Sequence, residues 1–417
     1  MIGVMTEEDI VALSAWVSEV GLKGKTETAL LEGFCQRVTG CGLPLLRVVL
    51  LIDTLHPIHE GRAIRWGRDK PKAELVEYGS TAEGEAAERW HASPFYQMLE
   101  LGRTSFRARV DDAFCVAYRA LADLKDEGVT EYLAMIRRFA ADGVIGEMDC
   151  FYASWMTDSP DGFSDADVAA LERLTPFLGL AIKAASLGRI AETLVETYLG
   201  RDAGRRVLSG RIARGVADRI RTVLWFSDLR SYTRISDSAE PEQIIPLLND
   251  YADAVVSAIQ EHSGDVLKLI GDGVLAIFPA EDRSAATTAA LVAAREARAS
   301  VAELNARRRA EGLPSTDMYL GLHLGDVFYG NIGSKERLDF TVVGPAVNEV
   351  ARIAAMCRSV DQPLLVSSAF VNAFGDGQRP FVSVGRFALR GVGRPQELYT
   401  LDGEAFEAPA DTTAAQI

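Results

Sequence analysis

The sequence predicts an α+β protein built from two mixed helix-and-strand regions and a helical connector. Three observations carry this reading. From residue 221 to about 401, strand-like and helix-like runs follow in the order strand, helix, strand, strand, helix, strand, with further strands behind. Residues 1 to about 185 mix helical and strand signals in a different order. Between the two, Leu180, Leu187 and Leu194 recur every seven residues, as do Ala184, Ala191 and Tyr198.

In the first region, helical patterns cover residues 7–20 and 26–38. The apolar run 45–52, entered through Pro44, reads as a buried strand, and 150–155 as another. Ser164 is placed to cap a helix that opens at Asp165. That helix continues into the heptad pattern, which fits either a short parallel coiled coil between two copies of the chain or one amphipathic helix packed on its own domain. Residues 198–215 read as a glycine-broken, basic connector.

In the last region, residues 222–226 form the first strand. A helix follows over 244–259, with Leu247, Leu248, Tyr251, Val255 and Ile259 on one face and Pro246 in its first turn. Residues 266–270 and 274–278 make a hairpin around Gly271-Asp272-Gly273. A long alanine-rich helix covers 284–309, and strands follow at 318–323 and 327–329. The order is that of a ferredoxin-like βαββαβ core with additions. Residues 403–417 are small and polar and read as a disordered tail.

Bulk properties narrow the function. A chain of 417 residues exceeds one ordinary domain, and 48% hydrophobic with 25% charged residues is an ordinary globular composition. A net charge of −15 argues against nucleic acid or an anionic membrane as the main partner. No uninterrupted apolar run approaches the ~20 residues needed to cross a bilayer, and the acidic start (Glu7, Glu8, Asp9) is unlike a signal peptide. The five cysteines (Cys35, Cys41, Cys115, Cys150, Cys357) form no CxxC pair. They suit reduced thiols, and a cytoplasmic location is expected.

The chemistry lies in two short motifs, Phe226-Ser227-Asp228-Leu229-Arg230-Ser231-Tyr232-Thr233 and Lys268-Leu269-Ile270-Gly271-Asp272-Gly273. Either aspartate alone would mark a turn. In a βαβ arrangement the end of the first strand and the tip of the hairpin become neighbours. Two carboxylates meeting there repel unless cations sit between them, and all-oxygen ligation suits Mg²⁺ or Mn²⁺. Asn348 and Arg352, four apart behind Pro345, share one helix face and could clamp a ribose and a phosphate oxygen. Lys268 in an apolar strand could donate to a base nitrogen, and Thr341 could read an exocyclic amine. Arg390, in Arg390-Gly391-Val392-Gly393-Arg394-Pro395, could reach polyphosphate.

Together these motifs resemble the class III adenylate and guanylate cyclase catalytic domain, over residues 216–402. The resemblance extends to Gly321-Leu322-His323-Leu324-Gly325 and Gly330-Asn331-Ile332-Gly333, matched to the family's central hairpin, and to Phe340-Thr341-Val342-Val343-Gly344. It implies that Asp228 and Asp272, helped by the Leu229 carbonyl, hold two divalent cations, Mg²⁺ or Mn²⁺. It implies that Lys268 and Thr341 select adenine, that Asn348 orients the ribose, that Arg352 stabilises charge on the α-phosphate and that Arg390 binds the triphosphate. The backbone of Ser231, Tyr232 and Thr233 would cradle phosphates. Ser231 stands where the family usually has glycine, and Asp339 is expected to sit in the wrong register for base recognition. The implied activity is conversion of ATP to 3′,5′-cyclic AMP and pyrophosphate at a homodimer interface. The alternatives are a guanylate cyclase and a catalytically silent nucleotide-binding dimer.

Residues 1–185 resemble, through their mixed α/β order and exit helix, a GAF-like sensor domain for an unidentified small molecule. Residues 186–215 would be its signalling helix and connector. Arg65-Trp66 and the run from Trp90 to Tyr96 could line the ligand pocket, with His91 read as packing rather than as a haem ligand.

Overall fold

The computed structural model describes residues 5–139, 146, 148–375 and 380–402. The expected tail, 403–417, lies outside the described residues. The chain divides into two compact units, Met1–Leu194 and Val195–Ile417.

The first unit opens with α1 (Glu7–Leu22) and α2 (Glu27–Gly40). Thr6 and Asp9 cap α1 reciprocally, each side chain bonding the other residue's backbone N–H. Then come β1 (Arg47–Asp53), β2 (Gly61–Gly67), β3 (Glu74–Tyr78), α3 (Gly84–His91), α4 (Pro94–Glu100), β4 (Ser105–Arg109), α5 (Asp112–Ala117), α6 (Asp123–Asp126), β5 (Glu131–Arg138), β6 (Cys150–Thr157) and α7 (Asp165–Leu199). The strands form one antiparallel sheet in the order β3-β2-β1-β6-β5-β4. On one face Val48, Leu50, Ile64, Met135 and Trp155 pack with Val17 of α1, Phe34 of α2 and Leu174 of α7. On the other face Tyr132, Ala134 and Tyr152 pack with Phe95 of α4 and Phe114 of α5. The expected strands at 45–52 and 150–155 are therefore neighbours at the centre of this sheet. His91 is exposed and stacks edge-on against Tyr96, their ring centroids 4.6 Å apart.

α7 runs without a break through the heptad pattern. Ser164 caps it together with Asp167, in the same reciprocal form as Thr6 and Asp9. Leu174, Leu178, Ile182 and Ile190 are buried in the first unit's core, and Leu187 and Leu194 pack against that core. These two leucines are thus spent on their own unit, not on the seam in which the sequence placed them. Leu180, Ala184, Ala191 and Tyr198 are exposed, Leu180 at 68% and Tyr198 at 80%. With Phe177 they leave an apolar stripe of 3–4 spacing along the outer face of the helix. α7 is also the one helix among the described residues that is long and apolar enough, by length and composition, to cross a membrane. Lys183 and Arg189 lie within it, so its sequence holds no uninterrupted apolar run of that length. Its buried face makes it a core helix of the first unit.

The second unit begins with α8 (Arg201–Leu208), within the stretch that the sequence reads as a glycine-broken, basic connector. Ala203 and Gly204 are fully enclosed there, and a Cβ on Gly204 would lie 3.1 Å from the Glu196 backbone. Next are β7 (Ala217–Leu229), α9 (Tyr232–Ser238), α10 (Pro241–Glu261), β8 (Asp265–Ile270), β9 (Gly273–Pro279), α11 (Arg283–Ala310), β10 (Met318–Gly333), β11 (Leu338–Val343), α12 (Pro345–Val360), β12 (Leu364–Ser367), α13 (Ser368–Ala373), β13 (Phe381–Phe387) and β14 (Gln396–Leu401). The sheet order is β13-β14-β12-β10-β7-β9-β8, with β11 on β10. The β7–α10–β8–β9–α11–β10 succession matches the expected order of elements. Its four strands stand β10-β7-β9-β8, each antiparallel to the next.

Three details differ from the sequence expectation. α10 starts at Pro241, which occupies the first turn, so Pro246 lies inside the helix. Residues 318–333 are one strand, not two. Both glycine motifs therefore lie on β10, and the hairpin partner is β11. Glycine permits this because β10 is crossed closely by backbone: a Cβ on Gly321 would lie 2.7 Å from the Ala354 N and 2.8 Å from the Val350 O of α12.

Candidate active site

Asp228 stands next to last in β7, which is flanked by β9 and β10. Asp272 lies in the two-residue turn between β8 and β9. Because β9 pairs directly with β7, that turn falls beside the end of β7, as the sequence expected, and the Leu229 N–H donates to Asp272 Oδ2 at 3.1 Å. Burial, reinforced by the neighbouring Asp272 charge, pushes the Asp228 carboxyl up to about 6. Its Oδ1 is buried and has no hydrogen-bond partner. Both aspartates line a hollow of about 200 Å³, walled by Leu248, Tyr251 and Val255 of α10 and by Leu269.

An orphaned carboxylate oxygen beside a second carboxylate fits a hard divalent cation, which keeps most of its ligands as water and phosphate oxygen. Among the described residues no set of three or more His, Cys, Asp or Glu side chains is gathered for a metal, so two aspartates and a carbonyl are what the protein offers here.

Behind Leu229 the chain turns through Ser231, whose φ of 58° and ψ of 27° are left-handed. Ser231 thus adopts, with a side chain, a conformation natural to glycine. Tyr232 is half-buried against the core, while Ser231 and Thr233 are exposed.

None of Lys268, Thr341, Asn348, Arg352 and Arg390 lines the hollow of the aspartates. A β-bulge between Val266 and Lys268 shifts the register of β8. Lys268 consequently sits opposite Leu275 and Leu269 opposite Val274, so these two neighbours face opposite ways and only Leu269 lines the hollow. Lys268 Nζ pairs with Asp339 Oδ2 on β11. Asp339 and Thr341 are two residues apart on that strand and share its face, opposite to the buried Phe340 and Val342. Asp339, expected to stand in the wrong register for base recognition, is thus in direct contact with Lys268.

Pro345 opens α12, which carries Asn348, exposed, and Arg352, half-buried, one turn apart. The turn after Arg390 passes close to this helix: a Cβ on Gly391 would lie 3.2 Å from Arg352 Nη1. The structure therefore brings the Arg390 turn to Arg352. Sequence reasoning missed His323, buried on β10 beneath α12. Its Nδ1 bonds Ser367 Oγ at 2.8 Å, and its Nε2 is 3.5 Å from Glu349 Oε2. Burial lowers its imidazole to about 4, so the Glu349 contact is one between a neutral ring and an acid that burial raises. The signal available in the sequence was a histidine between two glycines in an otherwise apolar strand.

Residues 217–403 match the family model described as the adenylate and guanylate cyclase catalytic domain. This region is a member of that family. The cyclase domain resembles part of an adenylate cyclase of Anabaena cylindrica, 32% identical over 157 residues, which is 38% of this chain and 31% of that protein. Adenylate cyclase 1 of Rhizobium meliloti is 26% identical over 255 residues, 60% of this chain and 38% of that one. The chain thus spans well under half the length of these relatives. Among solved structures, that of the guanylyl cyclase Cya2 is 28% identical and covers 44% of this chain and 93% of that one, with a TM-score of 0.40.

Proposed function

We propose that this chain is a cytoplasmic adenylate cyclase, converting ATP to 3′,5′-cyclic AMP and pyrophosphate as a homodimer, with a ferredoxin-like catalytic core governed by a GAF-like first unit. The observation that carries the reading is the meeting of Asp228 and Asp272, with Asp228 Oδ1 buried and unpartnered, at the end of β7.

Asp228, Asp272 and the Leu229 carbonyl would hold two divalent cations, Mg²⁺ or Mn²⁺, which when bound lower the pKa of the ribose 3′-hydroxyl and offset charge on the triphosphate. The chain's own groups do the positioning. The Asn348 amide orients the ribose so that its 3′-oxygen faces the α-phosphorus. The Arg352 guanidinium, with Arg390 behind it, meets the charge that builds on the phosphate oxygens. Backbone N–H groups of Ser231, Tyr232 and Thr233 face the outer phosphates. Lys268 donates to the adenine N1, and the Thr341 hydroxyl accepts from the 6-amino group.

The separation of the aspartate hollow from Lys268, Thr341, Asn348 and Arg352 supports a site shared between two copies, each copy supplying one half. The exposed stripe of Phe177, Leu180, Ala184, Ala191 and Tyr198 on α7 supports pairing through the linker helix as well. A guanylate cyclase is the second reading, and Asp339 is what favours it: a carboxylate at the base-reading position accepts from guanine N1–H and the 2-amino group, which adenine lacks.

The deciding experiment gives the purified full chain ATP or GTP with Mn²⁺ or Mg²⁺ and identifies the product. Cyclic AMP from ATP, lost in Asp228→Ala, is the expected result. Cyclic GMP as the main product would replace the adenylate reading. No cyclic product would leave a nucleotide-binding dimer, which equilibrium binding of ATP would then test.

A further inference from the structure

The helices of the first unit cover the sheet unevenly. On the face of Tyr132 and Tyr152, α4 and α5 pack over the β4-β5-β6 half. Over β1 and β2, beside them, lies a cavity of about 1070 Å³. Short side chains form part of its lining on the sheet: Val49 of β1, Ala63 of β2 and Ser154 of β6. Its wall is aromatic. Trp90 and Phe95 stand edge-on to Tyr152, with centroids at 5.7 Å and 85° and at 5.3 Å and 65°. Short side chains on the sheet beside a wall of rings suit a planar ring.

Several polar atoms along this cavity are left as acceptors, for a local reason. Ser154 Oγ spends its hydrogen on the Val49 carbonyl at 3.3 Å, and Tyr78 Oη spends its own on Asp53 at 3.2 Å. The Glu60 carboxylate accepts from the Thr81 N–H and hydroxyl. Lone pairs of the two oxygens and of the carboxylates are what such a surface offers. The cations nearby are engaged or at the mouth: Arg47 pairs with Glu127 and Arg89 with Glu85, while Arg65, Lys70 and Lys72 are exposed. A ring bound against these oxygens brings hydrogen-bond donors of its own.

We propose that this cavity binds a planar aromatic compound bearing N–H or O–H donors, of the phenol, indole or aromatic-amine class, as the small molecule to which the first unit responds. That it regulates rests on the cyclase reading above; that it binds does not.

The test uses the full chain and ligand-observed saturation-transfer NMR with four probes: indole, tyramine, benzoate and decanoate. Saturable transfer to indole and tyramine, with none to decanoate and less to benzoate, is expected. Ser154→Phe and Ala63→Leu each fill the cavity and abolish the transfer, and the variant retaining native circular dichroism is the one that counts. Asp53→Asn weakens tyramine more than indole. Silence from both indole and tyramine, equal transfer to decanoate, or transfer that survives in a folded cavity-filling variant would overturn the proposal. None of these readouts involves nucleotide turnover, so loss of the cyclase reading would leave them unaffected.

Discussion

Lys268 Nζ meets Asp339 Oδ2, joining β8 to β11 on the face that also carries Thr341. The pair is about 40% exposed, so its contribution to stability is small, about 0–1 kcal/mol. On the proposed reading its weight lies in recognition, because a base facing Lys268 would also face an acceptor. Asp339→Ala is expected to keep the unfolding midpoint nearly unchanged. It should raise the ratio of kcat/KM for ATP over GTP, since the group that would accept from guanine N1–H is gone. Initial rates with both nucleotides check this, and an unchanged ratio would make Asp339 a bystander.

Asp228 gives a pH dependence whose sign follows from its environment. Its carboxyl titrates at about 6 in the fold, against an ordinary 3.8. Between those values the folded chain holds a proton that the unfolded chain has released, so stability falls as pH rises through the window. Above it the cost is complete, about 2–3 kcal/mol. In the presence of a chelator, Asp228→Asn should therefore be more stable than the parent at pH 7 and no more stable at pH 4. Mn²⁺ should stabilise the parent and not the variant. Denaturant midpoints across pH 4 to 8 measure both effects.

A shared site makes a sharp demand on mixtures. Asp228→Ala and Arg352→Ala chains should each be nearly inactive alone. Mixed and allowed to exchange, they should regain activity, because half of the dimers are mixed and each holds one intact site. Failure of the mixture to recover would count against a site built from two chains.

Ser231 carries strain that glycine would not. The left-handed backbone at φ 58° costs a residue with a Cβ roughly 1–2 kcal/mol, partly offset by the entropy that glycine adds to the unfolded chain. Ser231→Gly should be neutral to mildly stabilising, by up to about 1 kcal/mol, and should not lower kcat. A marked loss of stability would mean that the Ser231 side chain makes a contact worth more than the strain.

Gly321→Ala tests the packing that carries Asn348 and Arg352. The added methyl would press on the Ala354 N and Val350 O of α12 at under 3 Å. Neither is the end of a flexible side chain, so α12 must shift. A loss of about 1–3 kcal/mol is expected, together with a fall in kcat larger than the change in KM.

What the sequence determined by itself is local. Alternation and apolar runs located the strands at 45–52, 150–155 and 222–226, and a cap located the start of α7, because these signals act within a few residues of where they are written. Asp-Gly between two apolar runs marked the hairpin that carries Asp272, and the order of elements placed that turn next to Asp228. Tertiary structure decided what depends on partners distant in the chain. The bulge in β8 chose the face of Lys268, and a one-residue slip reverses every side chain beyond it. The fusion of 318–333 into one strand was set by the long pairing of β10 with β7, whose hydrogen bonds outweigh the local preference of the glycines to break it. The division of α7 into a buried stripe and an exposed one was likewise settled by the core it packs on, since Leu180 and Leu187 look alike in sequence and only packing separates them.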